Sequence, residues 1–284
     1  MRTCRQSTAF APAQLPTAIT AQCQSIQAQQ VPRILTPFLH DTSTYMKQIP
    51  FLSVYIKGGT LTMCGRFSLT VGIEQLQSLF RFVYAGDITP RFNIAPNQEV
   101  LTVFEAEGKR IGKMMKWGLV PSWANDPKIG WKMINARAET VDEKASFRRA
   151  LKRRRCLILA DGFYEWKKEG TKKIPYRFML QNGEPFAFAG LWERWDKQGE
   201  PLYTCTIITT TANELVSAVH DRMPVILPQD RHDAWLDAKL EDTDYVKSLL
   251  QPYPAEDMKM YEVSTIVNSP KNDVMECIEP VNSK

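Results

Sequence analysis

Residues 156–166 read Cys-Leu-Ile-Leu-Ala-Asp-Gly-Phe-Tyr-Glu-Trp. Cys156–Ala160 is a short apolar run of the kind that forms a buried strand, and we read the strand as running on to Trp166 past Asp161-Gly162. Three segments downstream read the same way: Ile174–Leu180, Pro185–Trp192 and Leu202–Thr210. In the last, Tyr203, Cys205 and Ile207 alternate with Thr204 and Thr206, the pattern of a half-buried strand. Upstream, Glu99–Glu105 and Arg110–Trp117 predict a hairpin joined at Gly108, flanked by the Pro-bounded loop 90–96 and the tryptophan-rich loop 117–123. Helices are expected over Ile73–Phe82 and Thr140–Arg154, and over a short stretch to Val219 opened by a capping box, Thr211-Ala212-Asn213-Glu214. Val225–Leu227 reads as a strand, Asp230–Lys239 and Thr243–Leu250 as helices, and Met260–Val267 as a closing strand. The whole predicts a single compact, β-rich α+β domain over residues 63–284 with a mixed or antiparallel sheet.

Composition narrows the function classes. At 284 residues and 44% apolar content the chain can build a full core. No run approaches the eighteen or so apolar residues of a membrane span. The six cysteines (4, 23, 64, 156, 205, 277) form no CxxC pair and no framework spacing, which points to a reducing cytoplasm. Three histidines leave a zinc site little to draw on.

Residues 1–62 differ from everything after them. They are rich in Gln, Ala, Thr and Ser, contain no Glu, and hold five Lys/Arg against the single acid Asp41. They can be read as a transit peptide, as a propeptide, or as upstream DNA translated from a start placed too early. The last fits best, because Lys57-Gly58-Gly59 is codable as a purine-rich ribosome-binding sequence three codons ahead of Met63. We therefore expect residues 1–62 to be a disordered, non-domain extension. The remaining 222 residues carry 31 basic and 30 acidic side chains, so any hold on nucleic acid must come from local clusters.

Met63-Cys64-Gly65-Arg66-Phe67 carries the most distinctive chemistry. If Met63 is the start and is removed, Cys64 becomes a terminal 1,2-aminothiol. Its amine can condense with an aldehyde, and its thiolate can then close a thiazolidine ring on the imine. As an internal dipeptide, Met-Cys means nothing. Three other groups could join this chemistry. Glu165 leaves an apolar strand between Tyr164 and Trp166, where desolvation would raise its pKa and make it an acid/base; a strand-end pair with Lys167 or Lys168 is the alternative. Asn135-Ala136-Arg137-Ala138-Glu139-Thr140 offers an amide and a phosphate-binding fork, or equally a helix N-terminal turn. His220 sits beside Asp221 and Arg222 before Pro224 and suits proton transfer, whereas His232 reads as solvated on an exposed helix. Arg66, Lys113, Lys116, Arg137, Arg148, Arg149, the 152–155 run and Arg222, interleaved with Trp117, Trp123 and Trp131, have the makings of a single-strand nucleic-acid surface.

In order and spacing, MCGRF (63–67), RFNIAP (91–96), WGLVPSW (117–123), NARAET (135–140), ADGFYEWKK (160–168), HDRMPVIL (220–227) and VSTIVNSPKND (263–273) resemble the SRAP family, the SOS response-associated peptidase or abasic-site processing proteins. The resemblance implies a compact domain with DNA in a groove, and a cytoplasmic monomer acting on abasic sites in single-stranded DNA with no metal or organic cofactor. It implies that Cys64 crosslinks to the ring-opened sugar as a thiazolidine, that Asn135 holds the aminothiol and sugar, that Glu165 shuttles protons, and that His220 assists Schiff-base and strand-cleavage chemistry. Arg66, Arg137 and Arg222 correspond to phosphate-gripping positions, and Pro96 and Trp123 to the bend of the strand at the lesion. With residues 1–62 attached, Cys64 has no free amine. A thiol peptidase that cleaves before Cys64, with His220 as base, and a noncatalytic single-strand-binding module are the rival readings.

Overall fold

The computed structural model describes residues 64–281; the extension expected over residues 1–62 lies outside them. The described chain opens with β1 (Phe67–Leu69), α1 (Ile73–Phe80), β2 (Arg91–Ile94) and the hairpin β3 (Glu99–Ala106) and β4 (Lys109–Trp117). It continues through β5 (Asn135–Arg137), α2 (Ala145–Arg153), β6 (Arg155–Ala160), β7 (Gly162–Glu169), β8 (Lys172–Leu180), β9 (Phe186–Trp195) and β10 (Leu202–Thr211). Last come α3 (Glu214–Ser217), β11 (Arg222–Pro224), β12 (Ile226–Leu227), α4 (His232–Leu236), α5 (Thr243–Ser248) and β13 (Met258–Glu262).

The strands fall into two sheets, giving the β-rich α+β fold that the sequence predicts. One sheet is antiparallel throughout, in the order β13-β8-β7-β1-β2. The other runs β11-β10-β4-β3-β6-β9-β12 and is mixed, because β10 lies parallel to both β4 and β5. β10 also pairs with β9 from Leu202 to Ile207, so β10, β4, β3, β6 and β9 close into a ring. Closure satisfies backbone groups that an open edge would leave bare. The principal core joins residues of both sheets, among them Phe67, Met115, Trp117, Leu157, Phe163 and Phe188, each at most 1% exposed. Each such side chain contributes about 1.5–3 kcal/mol by leaving water.

The run 156–166 is two strands, not one. β6 belongs to the ring and β7 to the antiparallel sheet, and the chain changes sheets at Asp161. The Asp161 carboxylate accepts from Ser68 Oγ (2.6 Å), from Thr70 N–H (2.5 Å) and hydroxyl (2.6 Å), and from Arg177 Nη2 (3.0 Å). Four donors converging on a buried charge satisfy it, and this crossover is where apolar periodicity is silent.

Other expectations shift for local reasons. β10 is buried on both faces, since Thr204 and Thr206 are fully covered and Thr204 Oγ1 accepts from Val120 N–H at 2.9 Å. α2 starts at Ala145 rather than Thr140, after a stretch of turns. Asn213, not Thr211, caps α3, accepting from Val216 N–H at 2.9 Å. The 91–96 loop contains β2. His232 is not solvated: it is 2% exposed, stacks on Phe80 and places Nε2 3.1 Å from the Leu227 carbonyl.

Candidate active site

Cys64 lies three residues ahead of β1, and β1 fixes where it goes. β1 pairs with β7, Phe67 opposite Phe163, and Tyr164 N–H donates to the Arg66 carbonyl at 3.0 Å. This register runs the chain back along β7 from Phe67 toward Glu165. Gly162 permits it. A Cβ there would lie 2.6–2.7 Å from the Arg177 guanidinium, which is held in a buried ion pair with Asp161.

β10 supplies the other half of the site. On one side β5 lies parallel to it, Ile207 opposite Asn135 and Thr209 opposite Arg137. On the other side β11 runs antiparallel, Thr211 opposite Arg222. A single strand therefore carries Asn135 and Arg222 on its two flanks, and both reach Cys64. Asn135 Nδ2 donates to the Cys64 carbonyl at 2.9 Å, and the Cys64 thiol donates to the Arg222 carbonyl at 3.8 Å. His220 Nδ1 lies 3.0 Å from Arg222 N–H, 3.2 Å from that same carbonyl and 3.3 Å from Asp221 Oδ1. Asn135, His220 and Arg222 thus gather at Cys64, and Glu165 lies within hydrogen-bonding reach of its thiol.

The electrostatics suit proton transfer. Glu165 is 4% exposed and its Oε1 has no hydrogen-bond partner; burial pushes its pKa up to about 7, against the pull of His220 and the Cys64 thiol. It does not pair with Lys167, which bonds Glu169 at 2.8 Å. Burial also pushes the Cys64 thiol well above its ordinary value, and the nearby Glu165 charge adds to the shift. The sulfur therefore rests protonated, beside a carboxyl poised near neutrality to take that proton. Asn135 Oδ1 is buried without a partner, a spare acceptor next to the Cys64 backbone.

Residues 63–270 match the family model described as SOS response associated peptidase (SRAP). This chain belongs to the SRAP family. Among SRAP relatives, the abasic site processing protein YoqW of Bacillus subtilis is 52% identical over 223 residues, covering 76% of this chain and 99% of that protein. The abasic site processing protein HMCES of Gallus gallus is 33% identical over 264 residues, 77% of this chain and 78% of that one. A crystal structure of a protein from Bacteroides thetaiotaomicron matches with a TM-score of 0.68 at 27% identity, covering 77% of this chain and all of that one.

The remaining sequence-predicted positions of this SRAP chain are found in different states. Arg137 is exposed at the end of β5, two residues past Asn135 and near the Glu139 charge. Arg66 is committed to the fold, donating to Asn93 Oδ1 (2.8 Å) and to the Val267 (2.7 Å) and Asn268 (3.2 Å) carbonyls. Pro96 is half-buried in the β2–β3 turn, beside Asn97, whose N–H donates to the Trp117 carbonyl at 2.8 Å. Trp123 and Trp131 are 55% and 60% exposed, but Trp117 is a core side chain whose indole donates to the Ile134 carbonyl at 2.7 Å. The 152–155 run is not a free basic face. Arg155 is buried against the Trp235 and Leu151 carbonyls at 2.6 Å, and Arg154 pairs with Glu193. Asn135 leads a strand, not a helix turn.

Two participants escape the sequence reading. Glu139 grips Arg222, and Thr209 offers that guanidinium its carbonyl at 2.8 Å. An acid two residues past Arg137 was the available signal for Glu139; a mid-strand threonine gives none. Among the described residues, no cluster of three or more His, Cys, Asp or Glu is placed to hold a metal, and no helix is long and apolar enough to cross a membrane.

Proposed function

We propose that this protein processes abasic sites in single-stranded DNA by covalent capture, with Cys64 as the first residue of the active form. The observation that carries the proposal is the convergence of Asn135, Glu165 and His220 on Cys64. The α-amine of Cys64 adds to the C1 aldehyde of the ring-opened deoxyribose, and water leaves to give an imine. The thiol passes its proton to Glu165, the sulfur adds to the imine carbon, and the ring nitrogen takes up a proton. The balance is one water lost, with no oxidant, reductant or metal required. Asn135 holds the Cys64 backbone, and its free Oδ1 can receive the amine that peptide-bond removal exposes. His220 assists proton movement at the sugar and in any strand cleavage from the imine. Arg137 and Arg222 supply phosphate contacts, and Trp123 supplies a stacking face.

The test mixes protein beginning at Cys64 with a single strand bearing one abasic site. A heat-stable adduct should form without reductant. Cys64→Ser keeps the amine but not the thiol, so it should yield an adduct only when borohydride traps the imine. A binding module gives no adduct in any lane, and a pure autopeptidase gives none that depends on the aldehyde; either outcome defeats the proposal.

A further inference from the structure

The Arg222 fork is already occupied. Nη1 donates to Glu139 Oε1 at 2.6 Å and Nη2 to Glu139 Oε2 at 3.0 Å, the two parallel bonds with which arginine also binds phosphate. The two partners are held unequally. Arg222 is 12% exposed along its side chain, is tied by Nη2 to the Thr209 carbonyl, and shares its backbone with Cys64 and His220. The Glu139 side chain is 46% exposed and, besides Arg222, is held only by its own backbone N–H and the nearby Arg137 charge. If one of the pair moves, it is Glu139.

Resting on the DNA reading above, we propose that Glu139 is a phosphate surrogate: it fills the Arg222 fork in the free protein and must be displaced by a backbone phosphate when a strand enters. Glu139 therefore sets the strength of the grip, holding binding to intact strands weak while keeping Arg222 aimed. The fully ionised state this requires is secured by Arg222, whose hydrogen bonds hold the Glu139 carboxyl below its ordinary pKa. An alternative role, in which Glu139 only orients Arg222, predicts the opposite sign for its removal.

The experiment measures the affinity of the full chain for an undamaged single strand at about 0.1 M salt. Glu139→Gln keeps the shape and removes the charge. Glu143→Gln, an exposed acid four residues on, removes an equal charge without freeing an arginine. Glu139→Gln should bind about three- to ten-fold tighter, the range of an exposed to half-buried ion pair, and Glu143→Gln less than two-fold. In an Arg222→Ala background the Glu139→Gln gain should vanish, as a double-mutant cycle requires of coupled groups. Weaker binding by Glu139→Gln, a gain no larger than that of Glu143→Gln, or a gain that persists without Arg222 overturns the surrogate role and leaves the DNA reading standing. Absence of strand binding by the unaltered chain would remove both.

Discussion

The side-chain amide of Asn135 donates to the backbone carbonyl of Cys64 at 2.9 Å, across 71 residues of sequence. The bond holds the residue's backbone, not its sulfur, so it fixes where an amine at this position would stand. It follows from topology, because β5 is laid parallel to β10 with Asn135 opposite Ile207.

Asn135→Ala should separate binding from chemistry. The reacting groups lose their alignment, so adduct formation should slow by about ten- to a hundred-fold. Affinity for an intact strand, measured by fluorescence anisotropy, should change little. Equal losses in both would make Asn135 a general structural residue.

Glu165 gives a pH signature. The unfolded carboxyl releases its proton near 4.5, while burial keeps the folded one protonated to about 7. Unfolding is therefore favoured progressively as pH rises through that window, by up to about 3 kcal/mol. The Tm advantage of Glu165→Gln over the unaltered protein should grow from pH 4.5 to pH 8. The adduct rate of the unaltered protein should bend near pH 7, and that bend should disappear in Glu165→Gln.

Gly162 and the Asp161–Arg177 pair should be unforgiving. Gly162→Ala puts a Cβ into the guanidinium, and Asp161→Asn leaves Arg177 buried without its counter-charge. Overpacking costs about 1–3 kcal/mol, and breaking a buried pair about 3–5 kcal/mol. Denaturant midpoints of the two variants read these losses directly.

Trp117 and Trp123 look alike in sequence and should behave as opposites. Trp117→Ala removes a side chain 1% exposed and should cost about 3–5 kcal/mol of stability. Trp123→Ala, at a position 55% exposed, should leave Tm nearly unchanged but weaken strand binding by the roughly 1–3 kcal/mol of one stacked base. Reversed results would place the stacking face elsewhere.

What could be read in advance follows from what sequence patterns encode. The strands and the hairpin announce themselves by apolar runs and turns, and Cys64, Asn135, Glu165 and His220 by residue type in a spaced set of motifs. Long-range pairing is another matter. Asp161-Gly162 marks a turn, but nothing in Cys156–Trp166 signals that the chain switches sheets there, because the partners that justify it, Ser68, Thr70 and Arg177, lie elsewhere in the chain. The basic run 152–155 looks like a surface, yet Arg155 is spent on backbone carbonyls that come together only in the fold. His232 misleads for the same reason: its cover, Phe80, comes from α1.

The central claim is that capture uses the amine and the thiol of one residue. The most direct measurement is the intact mass of the product formed, without reductant, by protein beginning at Cys64 and a single strand with one abasic site. The same reaction is run on protein that keeps the residues before Cys64. The account predicts a heat-stable product equal to protein plus DNA less one water, formed only when Cys64 is first. An equally stable adduct with the preceding residues attached would contradict it, since an internal cysteine has no amine to give.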